Sequence, residues 1–199
     1  DSNISHDNAG NGIQLVDTTN CKICSNICWD NGTSSVSIAT ENGIGVVTTL
    51  SAGFIISGNR CFDTLGLAGA GTQDQGIYLG AIANNNYLIE GNNVVGNDIA
   101  GIDDDTTGTP TLQIRNNLGF LTENSGTGTI NSGATTATIT HGLAYTPTAA
   151  EITITLTENP TNTPGAIFVT TIGATTFVVN SENDPGTSNL DFSWAVRRV

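Results

Sequence analysis

The sequence predicts an all-β protein in which a right-handed parallel β-helix is followed by a small antiparallel β-sandwich. Three observations predict this fold: a recurring Ile-x-x-Asn element, apolar residues at alternate positions before it, and a change of composition after Asn117. The chain has 199 residues, of which 24 are glycine, so it is long enough for one or two domains with a buried core.

Four asparagines define the repeat, and each stands three residues after an isoleucine. They are separated by 33, 33 and 25 residues: Asn26, Asn59, Asn92 and Asn117. A Gly-Ile pair begins 16 residues before each of the last three. A constant motif with a varying repeat length is typical of a solenoid whose loops differ in size.

Aligning the repeats on their asparagines predicts which side chains point inward. One inward column holds the isoleucines Ile23, Ile56, Ile89 and Ile114. A second column stands two residues earlier and holds Cys21, Phe54, Tyr87 and Leu112. Residues at positions i and i+2 share one face of a strand, and the asparagine that ends each strand can hydrogen-bond to the next one. We expect successive strands to stack about 4.8 Å apart.

The same alignment makes predictions for four further residues. Cys28 and Cys61 are one repeat apart, so we expect two stacked, buried and reduced thiols rather than a metal site. Ile55 and Leu88 fall in an outward position, where they form an apolar strip. Three parallel chains around one axis would bury that strip, which predicts a homotrimer interface.

The repeats occupy residues 1–122, and we expect a second domain over residues 127–199. Ser125 to Gly128 is predicted to be a linker between the two. Five runs of alternating threonine and apolar residues then predict short antiparallel strands: 134–140, 151–157, 166–172, 175–180 and 190–196. Such a domain would cap the last turn of the helix and serve in trimerisation or receptor binding.

Charge and hydropathy exclude two classes of partner. Lys and Arg together number 5 against 18 Asp and Glu, a net charge of −13. The five cations are scattered, so they cannot neutralise a run of phosphates, and we expect no nucleic-acid partner. No stretch reaches the ~18 apolar residues of a membrane span, and we expect no membrane insertion.

The repeats with their Gly-Ile starts resemble those of pectate-lyase-like proteins and viral tailspikes over residues 1–120. The segment 136–143 and Phe192-Ser193-Trp194 look like the small β-domain that ends some phage tail-fibre and tailspike proteins. The resemblance implies a homotrimeric protein on the virion surface, hence extracellular, that recognises host-surface polysaccharide. This chain would be its distal part. Because β-helices carry both enzymes and passive binders, fold analogy does not settle function.

Acidic residues provide the catalytic alternative. Asp103, Asp104 and Asp105 interrupt the last Gly-Ile strand, and Glu90 lies one repeat step from Arg115. Asp103, Asp105 and Glu90 would be the carboxylates of a polysaccharide lyase or glycoside hydrolase. The three aspartates could instead hold a cation such as Ca²⁺ or form a solvated turn, and Glu90 could simply pair with Arg115.

Aromatic residues provide the binding alternative. Four of them could stack against sugars or pack in the core: Trp29, Tyr78, Tyr145 and Trp194. The leading expectation is adhesion to a host glycan without catalysis and without a cofactor. The alternative is an enzyme of the pectate-lyase-like class.

Overall fold

The computed structural model describes residues 1–32, 41–47, 51–64, 72–80, 86–106, 113–158 and 160–198. The protein is all-β, with parallel and antiparallel sheets, and divides into two compact units, Asp1–Phe120 and Leu121–Val199. Within the described ranges, no helix has both the length and the apolar character needed to cross a membrane.

The described residues of the first unit form three parallel sheets, which the chain visits in turn. Sheet I contains β1 (Ile4–His6), β4 (Ile27–Trp29) and β7 (Arg60–Phe62). Sheet II contains β2 (Ile13–Leu15), β5 (Asn42–Val46), β8 (Gln75–Leu79) and β10 (Ala100–Asp104). Sheet III contains β3 (Lys22–Cys24), β6 (Ile55–Ser57), β9 (Leu88–Glu90) and β11 (Gln113–Arg115).

Stacked apolar columns fill the core of this unit. In sheet III, the strands pair so that the buried isoleucines Ile23, Ile56, Ile89 and Ile114 stand in direct register. The rings of Phe54 and Tyr87 stack with centroids 5.0 Å apart. Leu112, predicted to extend that second column, lies outside the described residues. Burial of each large apolar side chain contributes about 1.5–3 kcal/mol, so every added rung stabilises the stack.

A ladder of asparagine amides follows the strands of sheet III. Asn26 Nδ2 donates to Asn59 Oδ1 at 2.9 Å, and Asn59 Nδ2 donates to Asn92 Oδ1 at 3.0 Å. The ladder continues to Asn117 at 2.9 Å and also includes Asn3, whose Nδ2 donates to Asn26. The backbone N–H of each donor asparagine binds the same oxygen. All bonds therefore run in one direction along the stack.

The residue before each ladder asparagine has a left-handed backbone conformation. Its φ lies between 53° and 64° at Ser25, Gly58, Gly91 and Asn116. Glycine adopts this conformation without the steric cost that a Cβ imposes, and asparagine tolerates it better than most residues. The sharp turn lets the following asparagine point its amide into the stack.

A second amide ladder was not predicted from the sequence. Asn8 Nδ2 donates to Asn31 Oδ1 at 2.8 Å, Asn31 Nδ2 to Gln73 Oε1 at 3.0 Å, and Gln73 Nε2 to Asn97 Oδ1 at 2.7 Å. Asn31, Gln73 and Asn97 are buried. Because a buried amide without partners is costly, this ladder also fixes the register of the rungs.

The two central cysteines occupy adjacent strands of sheet I. Cys28 pairs in register with Cys61, both are fully buried, and both are free thiols. The hydrogen bond to Cys28, followed by burial, raises the pKa of Cys61 well above its usual value. Cys61 is therefore a neutral thiol at physiological pH, and the pair packs as two small apolar groups.

The second unit consists of two antiparallel sheets around one apolar core. Sheet IV contains β12 (Glu123–Ile130), β17 (Leu190–Arg197) and β14 (Ile152–Leu156), in that order. Sheet V contains β13 (Thr136–Thr140), β16 (Thr176–Ser181) and β15 (Ile167–Thr170). A short 3-10 helix at Ala149–Glu151 precedes β14. Phe177 and Phe192, one from each sheet, are fully buried in the shared core.

The predicted linker from Ser125 to Gly128 is wrong, because these residues lie inside β12. The strand pairs antiparallel with β17 along its whole length. Its two glycines leave space for neighbouring rings and do not mark a flexible segment. A Cβ on Gly128 would lie 2.5 Å from Phe192, and one on Gly126 would lie 3.0 Å from Trp194. Close approach of a neighbouring ring is a second reason for glycine within a strand.

Candidate functional site

The outward face of sheet II brings together Tyr78, Asp103 and Asp105. Tyr78 in β8 and Asp103 in β10 are direct register partners on adjacent parallel strands. Asp105 follows β10 directly, and its backbone N–H donates to the Leu79 carbonyl at 3.0 Å. Alternation along the strand gives Asp103 and Asp105 the same outward direction. Two predicted catalytic carboxylates and one predicted sugar platform thus form a single cluster, here called the Tyr78 face.

Electrostatics couple the three side chains of the Tyr78 face. Burial, then the charges of Asp105 and Asp103, and a hydrogen bond to Asp105 raise the pKa of Tyr78. Burial, followed by the charges of Asp105 and Asp104, raises the pKa of Asp103. Tyr78 and Asp103 are half-buried, and Asp105 is exposed. The face therefore combines an aromatic ring, a hydroxyl group and two hydrogen-bond acceptors at the surface.

The ring of Tyr78 lies along its own strand towards Gly80. A Cβ built on Gly80 would stand 3.6 Å from Cε1 and 3.8 Å from the hydroxyl oxygen of Tyr78. On the neighbouring strand β5, the register partner of Tyr78 is Gly45. Glycine at both positions leaves the ring without a large side chain beside it in these strand positions.

Asp104 does not belong to this face. It accepts hydrogen bonds from the hydroxyl groups of Tyr87 at 3.1 Å and Thr106 at 2.7 Å. These donors satisfy a carboxylate that alternation directs to the opposite side of the strand. The run of three aspartates is therefore two outward carboxylates and one structural carboxylate.

Glu90 lies on sheet III, apart from the strands that carry the Tyr78 face. Its register partner is Arg115, and Arg115 Nη2 lies 3.0 Å from Glu90 Oε2. Arg115 Nε donates to the same oxygen at 3.1 Å. Glu90 is thus engaged in a partly exposed ion pair, and the structure does not join it to Asp103 and Asp105.

Three of the four predicted aromatic platforms have other contacts. Trp29 stacks between His6 and Phe62, with centroids 4.3 and 6.1 Å away, so both its faces are covered. The Tyr145 ring lies 5.1 Å from the guanidinium carbon of Arg198. Trp194 is only 6% exposed and meets Phe177 edge to face. Tyr78 is the member of the four that lies beside both Asp103 and Asp105.

The outward strip of Ile55 and Leu88 lines a shallow groove on sheet III. The two residues are register partners and half-buried, and the groove has a volume of about 320 Å³. Gly53, Asn86 and Gln113 also line it. The strip is apolar at its centre and polar at its ends.

A second acidic cluster was missed in the sequence. Asp74 is 8% exposed, and burial, followed by the charge of Glu41, a hydrogen bond to Glu41 and the charge of Asp98, raises its pKa to about 6. Its backbone N–H donates to the Glu41 carbonyl at 2.8 Å. Glu41 and Asp74 each stand two residues before a Gly-Ile strand, one repeat apart. That shared offset is the signal that could have revealed the stack.

Neither acidic cluster forms a group of three metal ligands. Across the described part of the chain, no three His, Cys, Asp or Glu side chains are placed to hold a metal ion together. No protein-family model and no curated protein matches the chain. The Tyr78 face and the sheets that present it are therefore the features that indicate a function.

Proposed function

We propose that this chain is the distal part of a homotrimeric, tailspike- or tail-fibre-like protein of the virion surface that binds host-surface polysaccharide without cleaving it. In this proposal, the first unit is a right-handed parallel β-helix. The observation that carries the proposed activity is the Tyr78 face, where an aromatic ring and two outward carboxylates meet on adjacent strands. No cofactor is assigned to it.

The repeated architecture supports the β-helical part of the proposal. The chain passes through sheets I, II and III in turn, and each strand pairs in parallel with the strand one circuit later. Two amide ladders run along the stack, and the isoleucine columns stay in register. Such a stack gives a rigid outer surface on which a polymer can lie extended, which lowers the entropic cost of binding.

The chemistry of the Tyr78 face supports a carbohydrate ligand. A sugar ring presents apolar C–H groups that pack against an aromatic side chain and hydroxyl groups that donate hydrogen bonds. Asp103 and Asp105 are acceptors for such donors, and hydrogen bonds to charged groups are worth about 1.5–3 kcal/mol each. An open surface with a few such contacts is suited to many weak sites along a polymer, where avidity supplies the strength.

Carboxylate placement favours binding over cleavage. Glycoside hydrolysis needs two carboxyl groups on either side of the bond, about 5–9.5 Å apart according to the stereochemistry. Asp103 and Asp105 project from one strand in the same direction, and Glu90 belongs to another sheet, where Arg115 engages it. These three residues do not supply the two walls of a hydrolytic cleft.

One observation favours the second candidate, a polysaccharide lyase or glycoside hydrolase. Burial and the neighbouring aspartates raise the pKa of Asp103, which is how a carboxyl group is prepared as a general acid. A neighbouring chain of the trimer would then have to supply the opposing wall.

Binding assays with host-type capsular and cell-wall polysaccharides test the proposal. We expect saturable binding that Tyr78→Ala weakens about tenfold or more and that Asp105→Asn weakens less, with no reducing ends and no unsaturated products. Tyr145→Ala is the matched control, because that tyrosine lies in the second unit and should leave binding unchanged. Cleavage of a polysaccharide that is lost in Asp103→Asn would contradict the adhesin and support the enzyme.

A further inference from the structure

We propose that the outward face of sheet I is the surface through which copies of this chain contact one another. The inference rests on the proposed homotrimer and assigns its interface to sheet I rather than to the strip formed by Ile55 and Leu88. Three observations carry it: exposed apolar side chains, stacked rings that fix the surface, and the distribution of charge.

Sheet I exposes large apolar side chains that have no cover within the described chain. Ile4 is 64% exposed and its register partner Ile27 is 36% exposed. On the same outward face, two positions further along the strands, Trp29 and Phe62 are in register and half-buried. A contiguous apolar face of this kind on one sheet is characteristic of an interaction surface, whereas isolated exposed apolar residues are not.

Stacking makes this face rigid before any partner binds. His6, Trp29 and Phe62 are in register, and their rings lie nearly parallel, 4.3 and 6.1 Å apart. The guanidinium carbon of Arg60 lies 4.3 Å from the Phe62 centroid. The faces between neighbouring rings are thus occupied, which disfavours sugar stacking on Trp29 and favours shape-complementary packing. Little side-chain entropy is lost when such a surface is buried.

Charge identifies a second copy as the partner. The chain carries 18 acidic and 5 basic residues, so most pairs of surfaces from two copies repel each other. The nine strand residues of sheet I include no Asp or Glu and one cation, Arg60. Each of the three strands is followed by an aspartate. Asp7 lies 2.6 Å from His6, and the other two, Asp30 and the buried Asp63, accept hydrogen bonds from residues near them. Sheet II, by contrast, presents Asp103 and Asp105.

The strip of Ile55 and Leu88 on sheet III is the weaker candidate for the interface. Ile55 and Leu88 are half-buried, whereas Ile27, which like them lies on a strand paired on both sides, is 36% exposed, so association through sheet I removes more apolar surface from water per residue. Sheet III also places the partly exposed Glu90 and Arg115 pair at the ends of its strands, where burial would require desolvation of two charges.

Two lysine substitutions test the assignment against a matched control. Ile27→Lys places a cation beside Arg60, its register partner on sheet I, and Ile55→Lys places one beside Lys22, its register partner on sheet III. Both replace the same residue type at the first position of a parallel strand, and both reduce the net negative charge. Sedimentation velocity and light scattering report the mass, and far-UV circular dichroism reports the fold.

We expect the unmodified chain to give three times its 20.5 kDa mass, Ile27→Lys to give 20.5 kDa, and Ile55→Lys to stay trimeric. If Ile27→Lys does not fold, Ile27→Thr keeps a β-branched residue in the strand and should raise the midpoint concentration of association at least tenfold.

The outcomes separate this inference from the proposal it rests on. A monomeric unmodified chain overturns both the homotrimer and the interface. A trimer that survives Ile27→Lys but not Ile55→Lys overturns the assignment to sheet I alone. Loss of polysaccharide binding in Ile27→Lys with the mass unchanged makes sheet I a receptor surface and also overturns the assignment.

Discussion

The two units form β-structure in opposite ways. In the first unit, side-chain amides are buried beside apolar columns: Asn59 is 1% exposed and bonds to the asparagines of the rungs on both sides. In the second unit, the core is formed by interlocking apolar side chains such as Phe177 and Phe192, with each ring in contact with a facing strand or a glycine. The first depends on the repetition of amide and apolar positions, and the second depends on complementary shape.

This difference determines how the stability of each unit responds to substitution. A ladder amide forms hydrogen bonds along the stack, so removing one leaves partners unsatisfied on both neighbouring rungs. The stability lost from a buried polar network can exceed the sum of its pairwise hydrogen bonds. A core ring interacts without direction, so its loss costs apolar burial and leaves a cavity. Substitutions in the two units can measure both costs within one chain.

The largest effect is expected from Phe177→Ala in the second unit. Phe177 is fully buried, meets Trp194 at a centroid distance of 5.6 Å and stacks on His141 at 6.3 Å. The lost burial and the cavity should lower the free energy of unfolding by about 3–5 kcal/mol. Urea unfolding followed by Trp194 fluorescence in a Trp29→Phe background reports this unit alone.

Phe168→Ala is the matched control, because Phe168 is 48% exposed on the same sheet. Its effect should stay within about 0.5 kcal/mol. Equal losses in the two variants would mean that the second unit is not stabilised by its buried aromatic core.

The next largest effect is expected from Asn59→Ala in the first unit. The substitution removes the acceptor for Asn26 and the donor to Asn92, and it also leaves the carbonyl groups of Ile23 and Ser57 without that amide. We expect a loss of about 2–4 kcal/mol, spread over at least three rungs. Hydrogen exchange resolved by residue should show faster exchange on both sides of the substitution.

Asn180→Ala in the second unit gives the contrast. Asn180 is partly exposed and donates to Thr170 Oγ1 at 2.7 Å, but its partners lie within one sheet. Its loss should cost about 1 kcal/mol and remain local. A local effect from Asn59→Ala as well would show that the ladder does not act as a unit.

Repetition also explains what the sequence could predict. The all-β class with parallel and antiparallel sheets could be predicted because strand periodicity and turn residues are local signals. The asparagine spacing could be recognised because one residue type recurs at one position of each repeat. The second ladder passes through Gln73, where a different residue with a similar amide takes the same role, and a search for identical letters does not find it.

The aromatic column of sheet I and the strand β12 escaped prediction for related reasons. The third position of the sheet I strands holds His6, Trp29 and Phe62, which share ring geometry but not residue type. Gly126 and Gly128 suggested a linker, whereas the neighbouring rings require glycine there. That requirement comes from β17, which follows more than 60 residues later, and no local pattern contains it. The Tyr78 face likewise depends on pairing between β8 and β10.

A third, smaller effect should appear as pH dependence confined to the first unit. The folded-state pKa of Asp74 is about 6 against an ordinary value of 3.8, so the folded state holds a proton that the unfolded state releases. This contribution to stability is fully present below pH ~4 and is lost as the pH rises through 6. Asp74→Asn should therefore stabilise the protein by about 1 kcal/mol at pH 7.5 and leave stability at pH 4 almost unchanged.

Thermal unfolding at both pH values measures this effect. Glu158→Gln is the control, because Glu158 is exposed in the second unit and its substitution should move neither transition. A lower transition temperature for Asp74→Asn at pH 7.5 would show that burial and repulsion from Glu41 and Asp98 do not make the Asp74 carboxylate destabilising.

The smallest expected effect is the difference in coupling free energy between one ion pair in each unit. Arg115 and Glu90 lie 3.0 Å apart with side chains 38% and 35% exposed, whereas Arg197 and Glu123 lie 3.4 Å apart with side chains 71% and 41% exposed. Exposed pairs contribute little, because water screens them and two long side chains lose entropy. Both pairs join register partners on neighbouring strands, but Arg115 binds Glu90 through two nitrogens and both side chains are less exposed, so water screens that pair less. Double-mutant cycles with alanine should give a coupling of about 0.5–1 kcal/mol for Glu90 and Arg115 and at most about 0.3 kcal/mol for Glu123 and Arg197. Both couplings should shrink in about 1 M NaCl, where the Debye length falls to about 3 Å. If the second pair proved the stronger, lower exposure and the second Arg115 contact would not determine the strength of the Glu90 and Arg115 pair, and the contrast between the two units would be limited to their cores.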